Sequence, residues 1–137
     1  MAETIQLVDY FYTEAPDKPG EGLKFLTQLK EAGVNLLAFS GFPKGRRAQL
    51  DFIPADAAAF KAVAKKGKWK IVGPKKGFLI QGDDRIGAIA DLLAKLAEAK
   101  INVTATDAIA VGGNRYAALL WVKPRDVKRA AKGLGAA

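Results

Sequence analysis

The chain says the same thing twice. Residues 17–36 read DKPGEGLKFLTQLKEAGVNL, and residues 84–103 read DRIGAIADLLAKLAEAKINV. Asp17 falls on Asp84, Gly20 on Gly87, Leu26 on Leu93, Leu29 on Leu96, Glu31 on Glu98 and Asn35 on Asn102, always at an offset of 67 (84 − 17) and without a gap. A spacing held over that length points to one structural unit used twice. The chain has 137 residues, so each copy has roughly half. A domain of about 70 residues has a marginal core, so the two copies are expected to share buried surface.

The segments around the repeat fix its type. Residues 5–13 (IQLVDYFYT) are rich in β-branched and aromatic residues and read as a strand. From Pro19 to Ala32, Leu23, Leu26, Leu29 and Ala32 recur at helical spacing, with Asp17 or Lys18 at the N-cap position, Asp17 being the better cap chemically, and Gly33 as the C-cap. Strands are expected at 34–40, 48–54 and 68–72, with a helix capped by Asp56 and ended by Gly67 between the last two. The order β-α-β-β-α-β then restarts: strand 77–82, helix 86–100, strand 101–111, a GGNR turn, strand 116–122 and a last helix at 125–135. Pro54 and Asp56 fall on Pro124 and Asp126 at an offset of 70, which places three extra residues in the second hairpin.

The expected fold is α+β: two tandem ferredoxin-like units, residues 1–73 and 74–137, with helices on one face of antiparallel sheet and no last strand in the second unit. The four residues GPKK (73–76) suit a tight hairpin from strand 69–72 to strand 77–81, which would make one seven-stranded sheet. Strands 34–40 and 101–111 are then the free edges, and a two-fold homodimer would cover them.

Composition narrows the chemistry. There is no cysteine and no histidine, which excludes disulfides, Cys/His zinc sites and the commonest general base. Nothing supplies a matched nucleophile and base, so no catalytic residue is assigned and no enzyme, cofactor or metal is expected. Asp83, Asp84 and Asp107 are only weakly spaced for a hard metal. The net charge is +8, with Lys and Arg gathered at 65–70, 75–76 and 123–129, where solvated helix ends and loops account for them. Lys44, Arg46 and Arg47 belong to a hairpin tip, and Trp69 and Trp121 are assigned to packing. No apolar run approaches a membrane span, and the first residues carry no export signal, so a cytoplasmic protein without membrane contact is expected.

The repeated words also suggest a site. Each loop, Asp17–Gly20 or Asp84–Gly87, runs into a helix start, whose free N–H groups favour a carboxylate. Gly20 or Gly87 lets a ligand approach the backbone. Asn35 and Asn102 offer a donor and an acceptor at a strand start. Taken singly these are ordinary helix-start residues; the repeated set points to an α-amino acid held by its two charged groups.

DKPGEGLKFLTQLKEAGVNL resembles the signature of ACT domains, roughly D-[RK]-P-G-x-[LA]…L…G-[IV]-N-[ILV]. The second copy is similar, with Ile86 for the proline and Lys100 for the second glycine. The resemblance covers residues 4–135 and implies a regulatory module that binds an amino acid or similar metabolite at an interface between units. The implied ligand residues are Asp17, Lys18, Pro19, Gly20, Asn35, Leu36 and Leu37 in the first copy, and Asp84, Arg85, Ile86, Gly87, Asn102, Val103 and Thr104 in the second. Any enzyme so regulated is a separate partner.

An RNA-binding ferredoxin-like protein is the alternative, since the chain is basic. Its aromatic run would be K/R-G-F/Y-G/A-F-V-x-F/Y. KGFLIQGD (76–83) begins that way and departs from it at Leu79, Ile80 and Gln81, so nucleic acid is not the expected partner.

Overall fold

The computed structural model describes residues 3–136. The elements are β1 (Thr4–Pro16), α1 (Glu21–Glu31), β2 (Leu36–Lys44), β3 (Arg47–Pro54), α2 (Ala57–Lys66), β4 (Val72–Asp83), α3 (Ala88–Glu98), β5 (Val103–Gly112), β6 (Arg115–Val122) and α4 (Val127–Leu134), with a 3-10 turn at Pro124–Asp126. The chain divides into two compact units. The first is Asp9–Lys75; the second takes residues up to Val8 together with Lys76 onward.

In the first unit the strand order is β2-β3-β1-β4, with β1–β3 and β2–β3 antiparallel. Phe11 lies opposite Phe52, and Phe52 opposite Phe39. Both helices cover the Phe11–Phe52 side. Leu29 of α1 and Phe60 of α2 are buried there, and Phe25, Leu26, Val63 and Trp69 pack around them. Rings dominate this core: Phe60 stacks on Phe11 at 4.8 Å between centroids and lies 5.2 Å from Phe52, and Trp69 meets Phe25 edge-on at 4.9 Å. The packing role expected of Trp69 is met, and its indole N–H donates to Gln28 Oε1 at 3.1 Å. Asp56 caps α2 as expected, its Oδ1 accepting from Ala59 N at 3.1 Å.

In the second unit the order is β1-β4-β6-β5, again with antiparallel β4–β6 and β5–β6 pairs. Its core is mostly aliphatic. Leu92 and Leu96 of α3 and Ala130 and Leu134 of α4 pack on Phe78, Ile80, Leu120 and Val122, with Ile5 from the chain start. Trp121 is also buried.

Three expectations need correction. The chain turns no hairpin at 73–76: β4 is one strand from Val72 to Asp83, and residues 68–71 precede it, so the described residues form six strands rather than seven. Gly73 permits this path, because a Cβ there would stand 2.8 Å from the Tyr10 carbonyl oxygen. The second unit does not lack a fourth strand either, nor does a segment at 69–72 fill the place. The residues up to Val8 group with it, and Ile5 is in its core. Its boundary therefore crosses β1, where a reading by position along the chain puts both halves of that strand in the first unit.

The third correction concerns the extra residues. Leu36 pairs with Pro54 and Val103 with Val122, so the two hairpins are offset by 67 on one arm (103 − 36) and 68 on the other (122 − 54). The hairpin gains one residue, at the irregularity between Ala110 and Gly112. The other two enter the 3-10 turn that precedes α4. In that turn Asp126 makes no cap and instead accepts from Arg129 Nη2 at 2.9 Å.

Candidate functional site

Each repeated loop ends in a left-handed glycine that begins a helix. Gly20 has φ 85° and ψ −9°, and Gly87 has φ 81° and ψ 12°. Neither helix start receives a side-chain cap, so Asp17 does not play the expected capping part. Only glycine adopts this conformation without strain. A Cβ at either position would face open space, so what the two loops share is a backbone shape with an uncovered surface above it.

The side chains around the two loops differ. Asp17, Lys18 and Pro19 are exposed, and Glu21, the first residue of α1, is held by Lys24 at 2.7 Å. In the second unit the Asp84 N–H donates to the Asn114 carbonyl at 2.7 Å, which ties the loop to the β5–β6 turn. The Arg85 guanidinium lies between two carboxylates, donating to Asp91 Oδ2 at 2.8 Å and to Glu3 Oε2 at 3.5 Å. The Tyr116 hydroxyl donates to the same Glu3 oxygen. Burial, and then the Glu3 hydrogen bond, push the Tyr116 phenol well above its ordinary range. Ile86 is fully exposed.

This loop forms one wall of a cleft of about 260 Å3. Asp84, Arg85 and Gly87 meet the first turn of α3 there, with Ala108, Ile109 and Ala110 of β5 opposite and Tyr116 between. A second depression, of about 420 Å3, lies in the first unit at the far end of α1, where Asn35 and Leu36 join Leu26, Leu29, Lys30, Gly33 and Val34.

The second unit's loop thus lines one depression and the first unit's strand start lines the other. In the first unit Asp17–Gly20 precede α1 and Asn35–Leu37 follow it. A helix of 11 residues is about 16 Å long, so the two groups stand at opposite ends of it. The second unit repeats this separation with Asp84–Gly87 and Asn102–Thr104 around α3. Asn35 is exposed, its carbonyl accepting from Ala55 N at 3.0 Å. Leu36 is half-buried against the core, and Leu37 is exposed. Asn102 is exposed, Val103 packs on the second core, and the Thr104 hydroxyl donates to the Trp121 carbonyl at 3.0 Å.

Sequence reasoning missed the β5 alanines, Tyr116 and Glu3. The alternating small residues of VTATDAIAVG were a usable signal that one strand face stays open. Glu3 reaches Tyr116 only through tertiary structure. At the first hairpin, Lys44 and Arg47 pair with Glu14 at 3.4 and 3.5 Å. Phe78, the aromatic of the run weighed for RNA stacking, is buried in the second core. Among the described residues no group of three or more acidic, His or Cys side chains could hold a metal, and no helix is long and apolar enough to cross a membrane.

No family model and no curated protein matches the sequence. Solved structures do match the fold. Protein BT0572 from Bacteroides thetaiotaomicron superposes with a TM-score of 0.79 at 16% identity, covering 93% of this chain and 88% of its own. A structure of aspartokinase alpha and beta subunits gives 0.66 at 16% identity, with 98% and 95% covered. The ligand-free regulatory subunit of aspartate kinase from Thermus thermophilus gives 0.65 at 16%, with 98% and 93% covered. The fold is thus the one found in regulatory, ACT-type domains of aspartate kinases.

Proposed function

We propose that this chain is a regulatory protein that senses an amino acid or a similar small metabolite, and that it has no catalytic activity of its own. Its two units are read as tandem ACT-like units, acting in the cytoplasm on a separate enzyme. The observation that carries the reading is the repeated left-handed glycine at a helix start, open above in both units, within a fold that matches regulatory subunits over nearly the whole chain.

Ligand contacts are assigned to the loops Asp17–Gly20 and Asp84–Gly87 and to the strand starts Asn35–Leu37 and Asn102–Thr104. Because loop and strand start lie a helix length apart in each unit, a site that uses both draws them from different copies of the unit. A two-fold homodimer through the edge strands β2 and β5 supplies such an arrangement. Those edges are apolar and open: Leu37, Phe39 and Phe42 on β2 and Ile109 and Val111 on β5 are exposed.

A thermal-shift screen of the twenty amino acids tests the function. A ligand that binds only the native state raises stability by RT ln(1 + [L]/Kd), about 2.7 kcal/mol at a hundredfold excess over Kd. A melting temperature indifferent to all twenty at millimolar concentration would refute amino-acid sensing. Sedimentation at micromolar chain concentration tests the dimer, and a monomeric mass with and without ligand would refute it.

A further inference from the structure

We infer that the cleft of the second unit, and not its counterpart in the first, holds the ligand, and that this ligand is an α-amino acid with an uncharged aliphatic side chain. The inference rests on the amino-acid-sensing reading and narrows it.

The strand registers identify the counterparts. Gly41 lies opposite Leu50 as Ala108 lies opposite Ala118, and Pro43 opposite Ala48 as Ala110 opposite Tyr116. At the helix start, Glu21 and Leu23 stand where the second unit has Ala88 and Ala90. The first-unit surface thus carries the longer Glu21 side chain, already paired with Lys24, beside the loop, and an exposed leucine at the place of Ala90. Its third strand offers Ala48 in place of Tyr116.

The second-unit cleft has the opposite character. Ala88, Ala90, Ala108 and Ala110 leave a methyl-lined space with Ile109 as a wall. Its volume of about 260 Å3 lies below the ~300–1,000 Å3 of drug-sized pockets, which suits a small metabolite. At one end Arg85 is already oriented by Asp91 and Glu3. A guanidinium has five N–H donors, and these two contacts leave others for a ligand carboxylate. Asp84, adjacent and exposed, supplies an acceptor for an ammonium group. The methyl walls give no partner to a charged side chain, whose burial there would be unfavourable. Backbone shape is shared by both units, and Asp17 and Lys18 hold the places of Asp84 and Arg85, so what separates the units is the alanine lining, Tyr116 and the Asp91–Glu3 hold on Arg85.

Isothermal titration of the full chain with alanine, valine, leucine, isoleucine, lysine and aspartate tests this. One of the four aliphatic amino acids is expected to bind tightest, at one molecule per chain. Arg85→Gln and Ala108→Leu should each weaken that binding at least tenfold. Leu23→Phe, in the first unit, should leave it unchanged. All three positions are exposed, and an unaltered thermal melt confirms folding of each variant. Tightest binding of lysine or aspartate, two molecules per chain, or binding lost in Leu23→Phe but kept in Arg85→Gln and Ala108→Leu would overturn the inference while leaving amino-acid sensing intact. No binding by any amino acid to the unaltered chain would instead remove the sensing reading itself.

Discussion

The two units share a plan and differ in what fills it. The first has an aromatic core of Phe11, Phe52 and Phe60 with Phe25 and Trp69 against it. The second uses leucine, isoleucine and alanine around Phe78 and Tyr116. Rings bury large areas with few rotatable bonds, so a single deletion in the first core removes several contacts at once. The smaller residues of the second core leave room at its surface, and that is where the alanine-lined cleft opens. One backbone pattern thus yields a depression at the far end of the first helix in one unit and an alanine-lined cleft at the start of the first helix in the other.

The largest test of this contrast is Phe52→Ala against Leu92→Ala. Phe52 lies 5.3 Å from Phe39, 5.2 Å from Phe60 and 6.0 Å from Trp69, centroid to centroid. Its truncation should cost about 3–5 kcal/mol in urea unfolding, and that of Leu92 about 2–5 kcal/mol with a smaller value than its partner. A larger loss at Leu92 would break the comparison.

Next come the paired loop glycines. Gly20→Ala and Gly87→Ala should each cost about 1–2 kcal/mol from backbone strain. The two costs should be alike, since neither new methyl meets an atom within 4 Å. Unequal costs would show that the loops differ in more than their side chains.

Helix ends give an effect of opposite sign in the two units. Gly33 follows α1 at φ 73°, and Lys100 occupies the same place after α3 at φ 59°. Gly33→Ala should therefore destabilise by about 1 kcal/mol, while Lys100→Gly should stabilise by up to about 1 kcal/mol. Denaturant midpoints of the two variants measure both.

The smallest effect is a pH dependence. Asp51 is 8% exposed and stands where the second unit has Leu119. Burial raises its carboxyl above the ordinary 3.8, against the bond from Gln49 and the charges of Lys44 and Lys75. A raised acid binds its proton more tightly in the folded chain, so its stabilising contribution is complete below 3.8 and is lost as pH rises through the folded value. Asp51→Asn should flatten the fall in melting temperature over that window. The same slope in variant and parent would place the titration elsewhere.

Most of the architecture was legible because it is local. Leucines at helical spacing, Asp56 before an alanine-rich helix and glycines at left-handed turns act within a few residues, so the repeat, the edge strands and the element order apart from the strand at Val72–Asp83 could be read in advance. The Asp17 cap failed because Gly20 turns the chain into α1 after it. The hairpin at GPKK failed because a four-residue loop and an uninterrupted strand look alike until the neighbouring strand is known.

What the sequence determined alone was the plan: two copies of a strand-helix-strand pattern, each with a glycine where its first helix begins. Tertiary structure decided the rest. It grouped the residues up to Val8 with a unit that otherwise starts near Lys76, and it brought Glu3 to Tyr116 and Arg85. It also set Ala108 and Ala110 across from the loop at Asp84. Those partners lie far apart along the chain, and no local periodicity encodes them. They meet because burying two apolar helix faces on a sheet leaves few ways to lay the strands side by side.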